Sequence, residues 1–231
     1  MSTTVLDQIP VELELSKVLK YIKMTEDHPE APSIAELVKQ AQTIARPKAL
    51  YKEAYIETRT DESIVAEGIT FRSRVLAVNL QNAHRFIAYV VTCGQELETW
   101  AQEIPDLLMQ YYAERINELV LRQAVEYLNR HLETTFHMGK TAHMSPGSLE
   151  DWPISEQKPL FQLLGDTEAT IGLRLTDSFL MLPIKSLSGI RFSTTVDYEN
   201  CMLCPRENCP GRRAPYDPHL YARSYSKTKT V

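Results

Sequence analysis

The chain opens with two amphipathic stretches. In "VELELSKVLKYIK", Val11, Leu15, Val18, Leu19 and Ile22 recur at helical spacing. "PEAPSIAELVKQAQTIARP" predicts a second helix, with Ser33 as N-cap, Glu36 completing a capping box and Pro47 closing it. Over 49–65 the text becomes β-rich, and Thr60 and Asp61 suit a turn between two strands. A short helical piece, "FRSRVLAVNLQ", leads to "RFIAYVVTCG", whose unbroken apolar run predicts a strand at the centre of a sheet. After Pro105, Leu108, Tyr112, Ile116, Leu119, Gln123, Tyr127 and Leu128 trace one stripe of a helix about eight turns long. "MGKTAHMSPGSLEDWPIS" reads as loop, and "SEQKPLFQLLG" as a short helix ended by Gly165. "IGLRLTDSFLMLPIKSLSGIRFSTT" has the alternation of two or three strands, and "SYSKTKTV" reads as a disordered tail. The order predicts an α+β fold, a mixed or antiparallel sheet with a long central helix. It divides into an N-terminal helical segment (1–48), an α+β core (49–200) and a cysteine-containing C-terminal segment (201–231).

At 231 residues and 43% hydrophobic content, the chain is large enough to bury a substantial core. A net charge of -5 provides no basic field for a phosphate backbone, which argues against nucleic acid as a partner. No secretory leader and no long uninterrupted apolar run is legible, so a cytoplasmic protein without membrane contact is expected. In that compartment the four cysteines are expected to stay reduced.

No phosphate loop, nucleophile elbow or H-E-x-x-H helix is present. His84, His131 and His137 stand alone in the sequence and read as surface or helix-end residues; Cys93 reads as a packed small hydrophobe. Pro146 and Gly147 in "HMSPGSLEDWP" mark a turn that lets backbone approach a ligand, or simply a turn.

From this loop onward the text resembles the activation, or reactivation, domain of cobalamin-dependent methionine synthase. The likeness is carried by Pro146-Gly147, by Glu156 to Lys158, by Leu175-Thr176-Asp177-Ser178-Phe179 with Met181 and Pro183, and by Ser188-Gly189 with Phe192-Ser193. It implies a C-shaped α+β domain that binds S-adenosylmethionine and presents its methyl group to cobalamin on another domain or subunit. Cobalt is then the nucleophile, so the protein positions the reactants and needs no catalytic dyad. The implied cofactor-binding positions are His143, Pro146, Gly147, Ser148 and Tyr198. Two depart from the family pattern: its loop arginine falls on His143 and its loop tyrosine on Ser148. On the long helix the family's glutamate falls near Arg122, with Glu118 and Glu126 as neighbours in other registers. The resemblance implies a stand-alone reactivation subunit serving a cobalamin-binding methionine synthase or related corrinoid protein.

Beyond the family pattern lies "CMLCPRENCPGRRAPY". Cys201, Cys204 and Cys209 have a C-x2-C-x4-C spacing that suits a metal or cluster, and Arg206, Arg212 and Arg213 would stabilise thiolates. Three readings stand: free thiols, an iron-sulfur cluster relaying electrons to cobalt, or a zinc knuckle with His143, His219 or Cys93 as fourth ligand. The alternative functions are an iron-sulfur electron-transfer or redox-sensing protein on the same fold, and a chaperone that holds the corrinoid protein without chemistry.

Overall fold

The computed structural model describes residues 2–209 and 211–226. Its centre is β5 (Arg85–Thr92), flanked by β2 (Lys48–Arg59) and β9 (Ser186–Ser193). Beyond β2 lie β3 (Ser63–Ala66) and β4 (Ile69–Arg72), and beyond β9 lies β6 (Thr141–Met144). A short β1 (Thr4–Leu6) also pairs with β2, and every pairing is antiparallel. β7 (Arg174–Leu175) and β8 (Met181–Leu182) form a separate two-stranded ribbon.

The apolar run of β5 follows from burial on both faces. Phe86, Ala88 and Val90 face a core closed by α3 (Arg74–Asn79), α6 (Gln157–Leu164) and α7 (Thr167–Ile171). Ile87, Tyr89 and Val91 face α5 (Leu107–Phe136). α1 (Leu15–Tyr21), α2 (Ala31–Ile44) and α4 (Gln95–Gln102) pack on the first half of α5 in a third cluster. Asp106 caps α5 by accepting from the Leu108 and Met109 amides, each at 2.9 Å.

The buried stripe of α5 differs from the expected one. It runs Tyr112, Ile116, Val120, Ala124, Leu128, Leu132, with Leu108 exposed and Leu119, Gln123 and Tyr127 only half-buried. A strict four-residue step drifts by about 200° over that length, at 100° per residue. One helix thereby faces the other helices with its first half and the sheet with its second. Gln123 is occupied differently, accepting from the Glu12 amide at 2.9 Å and donating to the Glu12 carbonyl at 2.8 Å. It straps the N-terminal arm across the helix.

Four local expectations change. Glu30, not Ser33, is the N-cap of α2, because Pro32 is tolerated in the first turn and lets the helix start earlier. Phe71 and Arg72 belong to β4 rather than to the helix, which Ser73 caps by accepting from Leu76 at 2.9 Å. Residues 141–144, expected as loop, form edge strand β6, since Ala142 and Met144 alternate into the core. The tail is ordered at its start, where Tyr225 is buried and donates to Asn79 Oδ1 at 2.9 Å; residues 227–231 lie outside the described ones. Among the described residues no helix is long and apolar enough to cross a membrane.

Candidate functional site

β6 is the sheet's edge, and its alternation sorts the candidate residues. Ala142 and Met144 enter the core, whereas Thr141 and His143 face the α5 side, His143 opposite Arg191 of β9. Arg191 donates from Nε to Thr141 Oγ1 at 3.0 Å and from Nη1 to Asn129 Oδ1 of α5 at 2.9 Å. Burial, reinforced by the guanidinium charges of Arg213 and Arg191, pushes the His143 imidazole down to about 4. It is neutral at physiological pH.

The chain then turns into the predicted loop. Pro146 is buried, Gly147 has φ +83°, and Ser148 is exposed. The Gly147 amide donates to the Trp152 carbonyl at 2.8 Å, and the Ser148 amide to the Ser145 carbonyl at 3.1 Å. A Cβ on Gly147 would lie 2.7 Å from Ile154 Cδ1, in a left-handed conformation that glycine adopts freely. Trp152 is fully buried and roots the loop in the main core. Two carboxylates pin the loop to α3 and β4. Asp151 accepts from the Ser73 hydroxyl and from the Val75 amide at 2.9 Å, and buried Glu156 accepts from the Arg72 amide at 2.8 Å. In the sequence Asp151 looks like an ordinary surface charge and Glu156 stands out only through the family resemblance; their long-range partners reveal what both hold.

Gly189 permits a close approach on the neighbouring strand. A Cβ there would lie 2.6 Å from the Met144 carbonyl oxygen, 2.8 Å from Ser145 Oγ and 3.0 Å from the Tyr89 hydroxyl. Burial pushes the Tyr89 phenol up to about 12, with Arg213, Arg191 and the Ser145 hydroxyl offsetting part of that. Tyr89, Ser145, Gly189, Arg191 and Arg213 thus gather around the loop's entry with His143. Sequence reading missed Tyr89, which sits in an apolar run; Arg213, expected beside the thiolates, faces both Tyr89 and Cys201.

The five predicted ligand positions do not share one cavity. Ser148 lines a cleft of about 540 Å³ with Asp151, Leu203, Cys204, Tyr216 and Tyr221. Tyr198 is buried, donates to Asn200 Oδ1 at 2.8 Å and lines a second cavity of about 610 Å³ with Asn79, Lys140 and Tyr225. Burial pushes its phenol far up, which keeps it protonated. Glu118 is committed elsewhere, bonded to Arg115 at 2.6 Å and Arg122 at 2.9 Å, and both guanidiniums stack on Tyr21. Glu126 is exposed on α5. The lone histidines are structural or peripheral: His131 Nε2 lies 2.9 Å from the Tyr51 hydroxyl, His137 ends α5 and His84 is exposed.

The C-terminal segment does not fit a metal. Among the described residues, no group of three or more His, Cys, Asp or Glu side chains converges. Arg212 fills the bend instead, donating to the carbonyls of Cys201 at 3.1 Å, Cys204 at 3.2 Å and Ala214 at 3.2 Å, and to that of Arg206. Its charge is spent on backbone oxygens rather than on thiolates. Cys201 Sγ accepts from the Arg213 amide at 3.4 Å, and the Arg213 guanidinium pairs with Glu199 at 3.1 Å. Partial burial raises the Cys201 thiol, but the Arg213 and Ala214 amides and the Arg213 charge outweigh it and leave it below the ordinary value. Cys93 is fully buried, and burial pushes its thiol up to about 12.

Among curated proteins, none matches the chain by sequence. Among solved structures, the chain is similar to the MetH reactivation domain bound to AdoHcy, with a TM-score of 0.59 at 15% identity, covering 86% of this chain and 81% of that one. At that identity the likeness shows a shared fold. The family model described as vitamin B12-dependent methionine synthase, activation domain, matches residues 89–209. That stretch runs from β5 through α5, β6, the Pro146-Gly147 turn and β9 into the cysteine segment, and over it the chain belongs to the activation-domain family of vitamin B12-dependent methionine synthase.

Proposed function

We propose that this chain is a reactivation component that binds S-adenosylmethionine and supports reductive methylation of cob(II)alamin carried by a cobalamin-binding methionine synthase or related corrinoid protein. The observation that carries the reading is the family match, which spans the 145–152 loop and both strands that frame it. The AdoHcy in the neighbouring structure supports it too, since AdoHcy is what S-adenosylmethionine becomes once its methyl has left.

The balance is simple. One electron from a flavodoxin-class donor and the methyl of the sulfonium add to cobalt(II), giving methylcobalt(III) and the neutral thioether. No proton moves, so the residues here need only hold and orient the donor. In this reading the loop backbone at Gly147 and Ser148 lies against the ligand. His143 is neutral, so the positive field at the loop's entry comes from Arg191 and Arg213. Of these cations, Arg213 would exchange its Glu199 partner for the ligand's carboxylate, and Arg191 would add it to the neutral oxygens of Thr141 and Asn129. Gly147 has no side chain to block the approach of backbone to ligand. The reading carries a cytoplasmic location with it.

The test is calorimetry with S-adenosylmethionine and S-adenosylhomocysteine, alone and with a cobalamin-binding methionine synthase held in the cobalt(II) state. Binding in either setting, followed by transfer of labelled methyl to cobalt under a one-electron reductant, is expected. Absence of binding in both settings sinks the proposal. Binding without label on cobalt would leave a ligand-binding protein that is not a reactivation component.

A further inference from the structure

Cys201 and Cys204 occupy unlike environments one turn apart. The Cys204 amide donates to the Cys201 carbonyl at 3.3 Å, closing the turn that begins in the 3-10 helix Asn200–Met202. A turn closed in this way brings its end Cα atoms to less than about 7 Å, and disulfides bridge Cα atoms roughly 4.4–6.8 Å apart. Cys201 Sγ accepts the Arg213 amide, the usual means of favouring an anionic sulfur. Cys204 instead packs against the apolar main core beside Leu203 and forms part of the cleft wall that holds Ser148 and Asp151. Both side chains are half-buried, and all four cysteines are free. Arg212 clamps the backbone at Cys201 and Cys204, so the turn is held on both sides of the pair.

We propose that Cys201 and Cys204 form a redox-active dithiol in which Cys201 is the attacking thiol and Cys204 the resolving one, with low-molecular-weight disulfides as the oxidant. Cys201 sulfur attacks the small disulfide RSSR, forming a mixed disulfide and releasing one RS⁻. Cys204 sulfur then attacks Cys201 sulfur, closing the internal disulfide and releasing the second RS⁻. Two protein thiols are oxidised by two electrons, and one RSSR is reduced to two RSH. On oxidation the Arg213 amide faces a disulfide sulfur, a weaker acceptor than a thiolate, while Arg212 keeps its bonds to the Cys201 and Cys204 carbonyls. Cys93 takes no part, being fully enclosed with its thiol directed to the Gly94 carbonyl at 3.5 Å. The proposal is independent of S-adenosylmethionine binding, and its failure would leave that reading untouched.

The experiment uses the full chain purified without oxygen, its iron and zinc content measured first and glutathione disulfide added as the probe. Peptide mass mapping of the wild-type chain should show a Cys201–Cys204 disulfide. The variant C204S should instead accumulate glutathione on Cys201, about tenfold over Cys209. C201S should lose both products while C209S retains the internal disulfide, and circular dichroism of each variant separates loss of reactivity from loss of folding. Iron or zinc bound stoichiometrically by these cysteines would overturn the proposal. So would a disulfide through Cys209, or equal labelling of Cys201 and Cys209 in C204S.

Discussion

Gly189→Ala tests whether the approach of β6 to β9 holds the candidate site in place. The new methyl would lie 2.6 Å from the Met144 carbonyl oxygen and 2.8 Å from Ser145 Oγ, where ordinary contact begins at 3.4 Å. Edge strand β6 would have to withdraw by about 0.8 Å, against its ladder with β9 and against Met144, which is fully buried. Neither the Met144 carbonyl nor the Tyr89 hydroxyl can rotate out of the way as a long side chain would, because backbone and a buried ring surround the spot. Overpacking of that kind costs about 1–3 kcal/mol, and in a chain of this size each kcal/mol lowers Tm by roughly 2–4 °C. The displacement acts on Ser145, immediately before the Pro146-Gly147 turn, so S-adenosylmethionine binding should weaken along with stability. Gly211→Ala is the control, because a Cβ there meets nothing within 4 Å. Thermal unfolding followed by circular dichroism and calorimetry with S-adenosylmethionine read the two effects. If Gly189→Ala melts within a degree of the wild type and binds equally well, the strand approach does not position the loop and the reasoning is wrong.

Two further predictions concern charge. The His143 imidazole is pushed down to about 4 from an ordinary 6.5 by burial and by Arg213 and Arg191, so between those values the unfolded chain binds the proton and the folded one resists it. Its contribution, up to about 3 kcal/mol, is complete above pH 6.5 and is lost as pH falls toward 4. Urea unfolding of His143→Gln should therefore show a shallower loss of stability over that window than the wild type; parallel curves would refute the burial argument. Arg212→Ala should free the carbonyls of Cys201, Cys204, Arg206 and Ala214 and destabilise the segment by on the order of 2 kcal/mol. Alkylation of Cys204 and Cys209 should then accelerate while the global Tm falls little, and unchanged thiol reactivity would show that the clamp is not what orders the turn.

Much of the architecture was legible because it is periodic. The apolar run of β5 required burial on both faces, and the long amphipathic stretch after Pro105 required a helix, whatever their partners. The motifs around Pro146-Gly147 and Ser188-Gly189 carry a resemblance to the activation-domain family, which the match over residues 89–209 shows, and both glycines sit where backbone passes close to another group. What escaped the sequence was pairwise and long-range. The short run 141–144 carries too few residues to declare a strand until β9 lies beside it. The stripe of α5 was misread because a helix serving two cores turns its buried face along its length, and a single-face template cannot follow that.

The chemistry divides in the same way. Residue types and spacing alone determined that the chain has a core of ordinary size, that it lacks a hydrolytic or phosphate-binding motif, and that three cysteines cluster near its end. Only the tertiary structure decided what those residues meet. Arg212 turns to carbonyls instead of thiolates, Asp151 and Glu156 turn inward to cap α3 and hold β4, and Tyr198 is separated from Ser148 by lining a different cavity. The physical reason is that periodicity records how a residue relates to its own helix or strand, whereas hydrogen bonds and charge-charge contacts depend on distances across the fold, and those exist only once the sheet has closed.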